Sequence, residues 1–172
     1  MHRSTVVVLA LGVLLGACSS GAQQDDDALA PQTQACAAAQ RQTVQGGSHL
    51  IGAAAPPVPW SSDPPTSGWH ATGAGFPAGA YAEPVPESEQ VAVLERGGVV
   101  VAFDPGLEPS TAGTLLELAG QVDGDVVITP HVRGLPTPVT LTAWGVLQRC
   151  EVVDSADVAA FAEVHAGLVG GH

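Results

Sequence analysis

The sequence predicts a small α+β domain, built in two layers from a strand, a helix, two strands and a helix. Three observations predict it: a continuous apolar run over 98–103, a helical pattern over 110–119, and a second β-rich run over 125–129. An unbroken run of β-branched residues is typical of a strand that is buried on both faces. The order strand, helix, strand favours a right-handed parallel crossover.

A long Pro- and Gly-rich segment, 46–86, precedes these elements. It has no sustained apolar period, so we expect a long ordered loop there. Residues 91–94 fit either a turn of helix or a short strand. Ser110 is the predicted N-cap of the first helix, and Gly120 is its predicted end.

The last third of the chain predicts a half-buried strand followed by a final helix. In 139–143, the apolar residues Val, Leu and Ala alternate with two threonines, which is the period of a strand with one buried face. Asp154 or Ser155 is the predicted cap of a helix in which apolar residues recur at helical spacing. His165 falls on the apolar face of that helix, and we expect it in the core.

The chain is acidic and contains no lysine. It has 17 Asp and Glu residues against 5 Arg, for a formal net charge of −12. Phosphate binding needs clustered cationic side chains, so this composition excludes nucleic acid as an expected partner. The acidity either attracts cations or keeps an exported protein soluble.

The N-terminus has the pattern of an export signal that ends at a cysteine. A basic start is followed by an apolar core over 5–15 and by two small residues before Cys18. The order Leu-Gly-Ala-Cys resembles the lipobox of bacterial lipoproteins, in which the cysteine is diacylated and the preceding peptide is removed. The resemblance implies a signal peptide over 1–17, lipidation of Cys18, and a place on the extracytoplasmic face of the cell membrane. An ordinary secretory signal followed by a cysteine is the alternative.

Segment 18–35 contains mainly small and polar residues, buries almost nothing, and predicts a flexible acidic tether. With Cys18 lipidated, Cys36 and Cys150 are the remaining thiols, and outside the cytoplasm such a pair is expected to oxidise. The lipobox resemblance therefore implies a disulfide between them, within a single domain over 36–172. Two buried free cysteines are the alternative.

Four short motifs lie in order along this domain: PPTSGWH at 64–70, GAY at 79–81, LERGGVV at 94–100 and TAWG at 142–145. Together they resemble a family of uncharacterised exported bacterial proteins, domain of unknown function family 3105, over roughly 47–165. The resemblance implies no established activity. Members carry several histidines beside a glutamate, a set that looks like a metal site. Ala92 and Arg96 stand where members usually have histidine, which implies a partly degenerate site.

The resemblance implies a candidate metal site at His49, His70 and Glu95, with His131 as an outside fourth ligand. Imidazole and carboxylate groups suit zinc, copper or iron, so a transition metal such as copper or zinc is the cofactor that this set would hold. Metal binding requires the side chains to converge within about 4 to 5 Å, because ligand bonds run near 2 Å. The structural alternative has His70 bonded to loop carbonyls and Glu95 paired with Arg96 or with backbone amides.

A serine hydrolase is a further hypothesis, with Ser67, His70 and Asp104 as its catalytic set. The sequence around the serine is not GxSxG, which argues against this function. Thr66 and Ser67 follow two prolines, and such residues commonly bond their own backbone in turns. We therefore favour a turn role for both.

Trp60, Trp69 and Tyr81 are a candidate aromatic patch for a protein partner or a cell-wall glycan, with core packing as the alternative. The sequence as a whole favours a lipid-anchored extracytoplasmic binding or accessory module over an enzyme, with the metal site described above. The second interpretation is a metal-independent interaction lipoprotein that binds a cell-envelope protein or glycan through this aromatic patch.

Overall fold

The computed structural model describes residues 35–52 and 55–167. The predicted signal peptide, the lipidation site Cys18 and almost all of the predicted tether lie outside the described residues. The strands in chain order are β1 (Gln40–Arg41), β2 (His49–Leu50), β3 (His70–Ala71), β4 (Gly79–Ala80), β5 (Val99–Phe103), β6 (Val126–Pro130), β7 (Val139–Ala143) and β8 (Val146–Cys150). The helices are α1 (Glu87–Glu95), α2 (Pro109–Glu117), which a 3-10 turn (Leu118–Gly120) extends, and α3 (Ser155–His165).

A mixed sheet of six strands, in the order β1-β8-β7-β5-β6-β4, forms the centre of the domain and confirms the α+β class. β5 and β6 are parallel and are joined through α2, as the sequence predicts. β7 and β8 form an antiparallel hairpin on the other side of β5. The predicted order of strand, helix, strand, strand and helix is present, with β8 as an additional strand. None of the described helices is long and apolar enough to cross a bilayer.

The larger core lies between the sheet and the helices α2 and α3. Because successive side chains of a strand point to opposite faces, Val99 and Val101 of β5 enter this core, where they join Leu115 of α2 and Phe161 of α3. The main strands are buried along almost their whole length. This burial explains the apolar runs of β5 and β6. The prediction of a half-buried strand at 139–143 is wrong, because Thr140 and Thr142 are buried as well.

The opposite face of the sheet is covered by α1, which forms a second, smaller core. Val93 and Leu94 of α1 pack there against Val100 of β5 and Val127 of β6. The segment that fits either helix or strand in the sequence is therefore helical. Its helix places Glu95 at its C-terminal end, above the sheet.

Of the two predicted helix caps, one is wrong and the other is confirmed. Ser110 is not the N-cap of α2: the helix begins at Pro109, Glu108 occupies the cap position, and no side chain caps it. Proline suits the first turn because the N–H that it lacks has no partner there. Asp154 does cap α3, and Asp157 completes a capping box with it.

A disulfide joins Cys36 and Cys150, as the sequence predicts. The two residues lie opposite each other, and the neighbouring Ala37 N–H donates to the Arg149 carbonyl at 2.8 Å. Segment 35–41 thus runs antiparallel along β8 at the edge of the sheet. The bond ties the start of the described domain to its last strand.

Candidate metal centre

Three separate elements bring His49, His70 and Glu95 together. β2 and β3 pair in parallel with His49 opposite His70, and the two ring centroids lie 4.8 Å apart with planes at 79°. Glu95 ends α1, and its Oε2 lies 2.7 Å from His70 Nε2. One ligand atom from each residue lies within 4.8 Å of the other two. The three side chains therefore converge within the range that a metal site requires.

The ring of His70 is buried and oriented by the backbone. Its Nδ1 lies 2.8 Å from the Gly68 carbonyl oxygen, and only 1% of the residue is exposed. A carbonyl oxygen only accepts, so Nδ1 carries the N–H and Nε2 is the nitrogen that faces Glu95. Among the described residues, Nε2 has no hydrogen bond of acceptable geometry, although the Glu95 carboxylate is 2.7 Å away. A metal-binding histidine is held in this way, by a carbonyl on its other nitrogen.

The turn that carries His70 is fixed by hydrogen bonds to distant segments. Residues 64–68 are buried. Ser67 Oγ accepts from the Gln45 N–H at 2.9 Å. The Thr66 carbonyl accepts from the Gly145 N–H at 2.9 Å. These bonds lie between segments far apart in sequence, so the turn is a rigid support for His70.

The described geometry does not assemble the hypothetical hydrolase. Ser67 is fully buried and accepts a backbone hydrogen bond, while the two nitrogens of His70 lie against Gly68 and Glu95. The Asp104 carboxylate accepts from two backbone N–H groups, at 2.7 and 2.6 Å. A triad needs a hydrogen-bonded chain from nucleophile to base to acid. These three side chains form no such chain.

The permanent cation next to Glu95 in sequence is engaged by another acid. The Arg96 guanidinium donates to both carboxylate oxygens of Asp125, one of them at 2.8 Å, and to the Phe76 carbonyl at 2.7 Å. Glu95 contacts His70 through the 2.7 Å approach described above. The site therefore combines two imidazoles with one carboxylate.

His131 belongs to a second cluster. Its Nε2 donates to Asp63 Oδ1 at 2.8 Å and lies 3.9 Å from Glu87 Oε1. Arg133 donates two hydrogen bonds to each of these carboxylates, at 2.8 to 3.2 Å. The hydrogen bond to Glu87, helped by that to Asp63, raises the pKa of Arg133 against the opposing effect of burial. Because Arg133 pairs with both carboxylates, this cluster has the chemistry of an ion-pair network.

The three residues of the predicted aromatic patch are half-buried. Tyr81 packs edge-on against Phe76, with ring centroids 5.1 Å apart, over the smaller core. The Trp60 indole N–H donates to the Trp69 carbonyl at 3.0 Å. Trp60 also lines an open groove of about 600 Å³, together with Pro56, Pro59, Asp63, Glu87 and Arg133.

The network of Asp63, Glu87 and Arg133 is not predicted from the sequence. Asp63 directly precedes the first motif of the family resemblance, and Arg133 follows His131 by two positions. Their positions in the sequence are only a weak indication that Asp63 and Arg133 form an ion pair. Nothing in the spacing joins them to Glu87, which is brought close only by the fold.

Comparison with known proteins gives one match. A family model described as "Protein of unknown function (DUF3105)" matches residues 53–169, a range that contains His70 and Glu95. His49 lies just before the matched range. The comparisons with curated proteins and with solved structures found no match.

Proposed function

The chain belongs to the DUF3105 family of proteins of unknown function, whose model matches most of its length, and we propose that it is a lipid-anchored extracytoplasmic binding module for a transition metal. His49, His70 and Glu95 are the metal ligands in this proposal, and copper or zinc is the metal. The family match gives no activity. The proposal is supported by the chemistry of the site.

The observation that carries the proposal is the buried Nε2 of His70. With Nδ1 held by Gly68, a neutral His70 directs a lone pair at a carboxylate 2.7 Å away, which is repulsive. A cation between the two groups, either a proton or a metal, removes that repulsion. Ligands bonded to zinc at about 2.0–2.2 Å are separated by more than 2.7 Å. Metal binding therefore requires Glu95 to move slightly away and the exposed His49 to approach.

The test is metal titration of the purified domain with Zn²⁺ and with Cu²⁺, combined with elemental analysis. We expect about one metal per chain in the wild type and loss of tight binding in His70→Ala and Glu95→Gln. His165→Ala is the matched control, because it removes a histidine that lies outside the cluster. Negligible occupancy in the wild type, or full occupancy in His70→Ala, contradicts the proposal.

The proposed location follows from the lipobox resemblance at Cys18. Two acyl chains bury many methylene groups at roughly 0.8 kcal/mol each, which makes a stable anchor. Mass spectrometry of the membrane fraction should find a mature chain that begins at a diacylated Cys18, and Cys18→Ser should abolish the fatty acid. A cytosolic, unmodified chain that keeps its initiator methionine would contradict this part of the proposal.

The groove beside Trp60 favours a second candidate function, a metal-independent interaction with a cell-envelope glycan or protein. Trp60 and two prolines line the groove together with three charged side chains, a combination that suits a sugar ring. Binding of cell-wall glycan to metal-free protein, reduced in Trp60→Ala and unchanged in His70→Ala, would support it. Equal binding by both variants would exclude this groove.

A further inference from the structure

The metal centre proposed above has three protein ligands, and the described part of the chain offers no fourth His, Cys, Asp or Glu to it. Structural zinc sites are closed by four protein ligands, whereas sites with three keep a position for water or another external ligand. The two-histidine, one-carboxylate set is likewise typical of metals with open positions. From the donor count we infer that the bound metal keeps an exchangeable position for a monoanion on its His49 side.

The burial of the three ligands decides on which side that position lies. His70 is 1% exposed and is backed by the buried turn 64–68, and the Glu95 side chain is 15% exposed on α1. His49 is exposed, and Ile51, two residues along, is 88% exposed. The protein therefore covers the metal from the His70 side. A ligand from solvent reaches it past His49.

The charge of the centre decides which ligand suits this position. Two neutral imidazoles and one carboxylate around a divalent metal leave a net charge of about +1. The nearest guanidinium in sequence, that of Arg96, is paired with Asp125 and so adds no uncompensated charge. A monoanion such as hydroxide, azide or a carboxylate neutralises the centre. A second cation does not.

The inference rests on the proposed metal function, and the experiment separates the two. Co²⁺ is loaded into the wild-type domain, and azide is added while the visible spectrum is recorded. We expect a saturable change at about one azide per Co²⁺, because one ligand exchanges at an open position. If Co²⁺ binds and azide does not change its spectrum, the open position is refuted and the metal function is not. A protein that binds no Co²⁺, Zn²⁺ or Cu²⁺ overturns the metal function and the open position together.

Two variants test on which side of the metal the open position lies. In His49→Ala the missing ligand lies on the solvent side, so added imidazole should restore the wild-type Co²⁺ spectrum and azide should then change it. In His70→Ala the gap is buried behind the turn, and imidazole should not restore the spectrum. Rescue of His70→Ala together with failure to rescue His49→Ala would overturn the assignment of the open side. His165→Ala serves as the control that retains wild-type spectra throughout.

Discussion

At the scale of residues, Gly47 is important because a side chain at this position would collide with its neighbours. A Cβ at this position would lie 2.2 Å from the Gly68 carbonyl oxygen and 3.2 Å from His70 Nδ1. Those atoms belong to the backbone and to a buried ring, so neither moves at low cost. The Gly47 segment therefore packs directly against the carbonyl that holds His70. A glycine here is therefore part of the candidate metal centre, although it contributes no ligand.

We expect Gly47→Ala to lower the free energy of unfolding by about 1–3 kcal/mol, the usual cost of overpacking. It should also weaken zinc binding roughly 10-fold or more, because the carbonyl that orients the histidine is displaced. Gly46→Ala is the matched control, since a Cβ there meets nothing within 4 Å. Chemical denaturation and metal titration are measured on both variants. Equal losses at the two glycines would contradict the role of Gly47.

His165 is the residue whose protonation is most clearly shaped by the fold. It lies half-buried in α3 against the ring of Phe161, at 4.7 Å between centroids, and not in the core as the sequence predicts. Burial, and secondly the charge of Arg41, lower the pKa of His165. The unfolded chain then binds the proton more tightly than the folded chain. Protonation of His165 therefore disfavours folding.

The sign of the pH effect follows from this difference. The contribution of His165 to stability is lost as the pH falls below the unfolded value of about 6.5 toward the lower folded value, and it is restored above 6.5. We expect the free energy of unfolding to be smaller at low than at neutral pH, with this component absent in His165→Gln. An NMR titration should show the His165 pKa rising in Arg41→Gln. A wild-type pKa above the ordinary value would refute the prediction.

At the scale of elements, α1 and segment 63–70 each contribute to both clusters. α1 begins with Glu87 and ends with Glu95, about 12 Å apart at 1.5 Å per residue. Segment 63–70 begins with Asp63 in the ion-pair network and ends with His70 in the candidate metal centre. Arg133 therefore bridges the far ends of the two elements that present the candidate ligands His70 and Glu95.

Arg133→Met should loosen this connection. It removes four hydrogen bonds and leaves two carboxylates close together without their cation. Because the Arg133 side chain is 51% exposed, we expect a loss of only about 1 kcal/mol, in the range of exposed pairs, and a smaller loss at high salt. Arg41→Met, which removes an exposed arginine from β1, is the control. A loss that does not depend on salt would argue against an electrostatic network.

The sequence predicted the elements whose burial or capping leaves a simple pattern in the sequence. β5 and β6 are buried on both faces, so they appear as unbroken apolar runs, and the cap of α3 is a local signal at Asp154. α1 was left open between helix and strand because residues 90–94 are all buried. A helix that is buried around most of its circumference has no apolar stripe for a periodicity to reveal. β8 was missed since VLQRC has no clean alternation.

The candidate metal centre depends on information that no local pattern contains. His49 and His70 meet because two strands of two residues each pair in parallel, and strands so short leave no periodicity. The family resemblance named both histidines and Glu95, and the fold brings the three side chains together. Gly47 could not be identified, because its role depends on a contact with Gly68 that only the folded chain makes.

At the scale of the whole molecule, acidic side chains far outnumber basic ones, so each arginine is important for stability. The chain has 5 arginines against 17 acids, and two of them, Arg96 and Arg133, pair with acids next to α1. These pairs fix the helix that presents Glu95 in a protein whose net charge opposes compaction. The other long-range constraint is covalent, since the disulfide joins residues 114 positions apart.

Removal of the disulfide should be among the most costly changes, because both cysteines are buried in the larger core. A crosslink that closes a loop of this length restricts the unfolded chain, and its loss from a small exported domain typically costs about 2–5 kcal/mol. We expect that loss in the double variant Cys36→Ala and Cys150→Ala, measured by urea denaturation. The slope with denaturant should also increase, because the unfolded chain exposes more surface.

Reductant supplies the control for this prediction. It should lower the stability of the wild-type domain to that of the double variant and should leave the double variant unchanged. Because the disulfide joins segment 35–41 to β8 at the edge of the sheet, and the candidate ligands lie on β2, β3 and α1, we expect zinc binding to survive reduction. A double variant as stable as the oxidised wild type would show that the crosslink adds nothing to the fold.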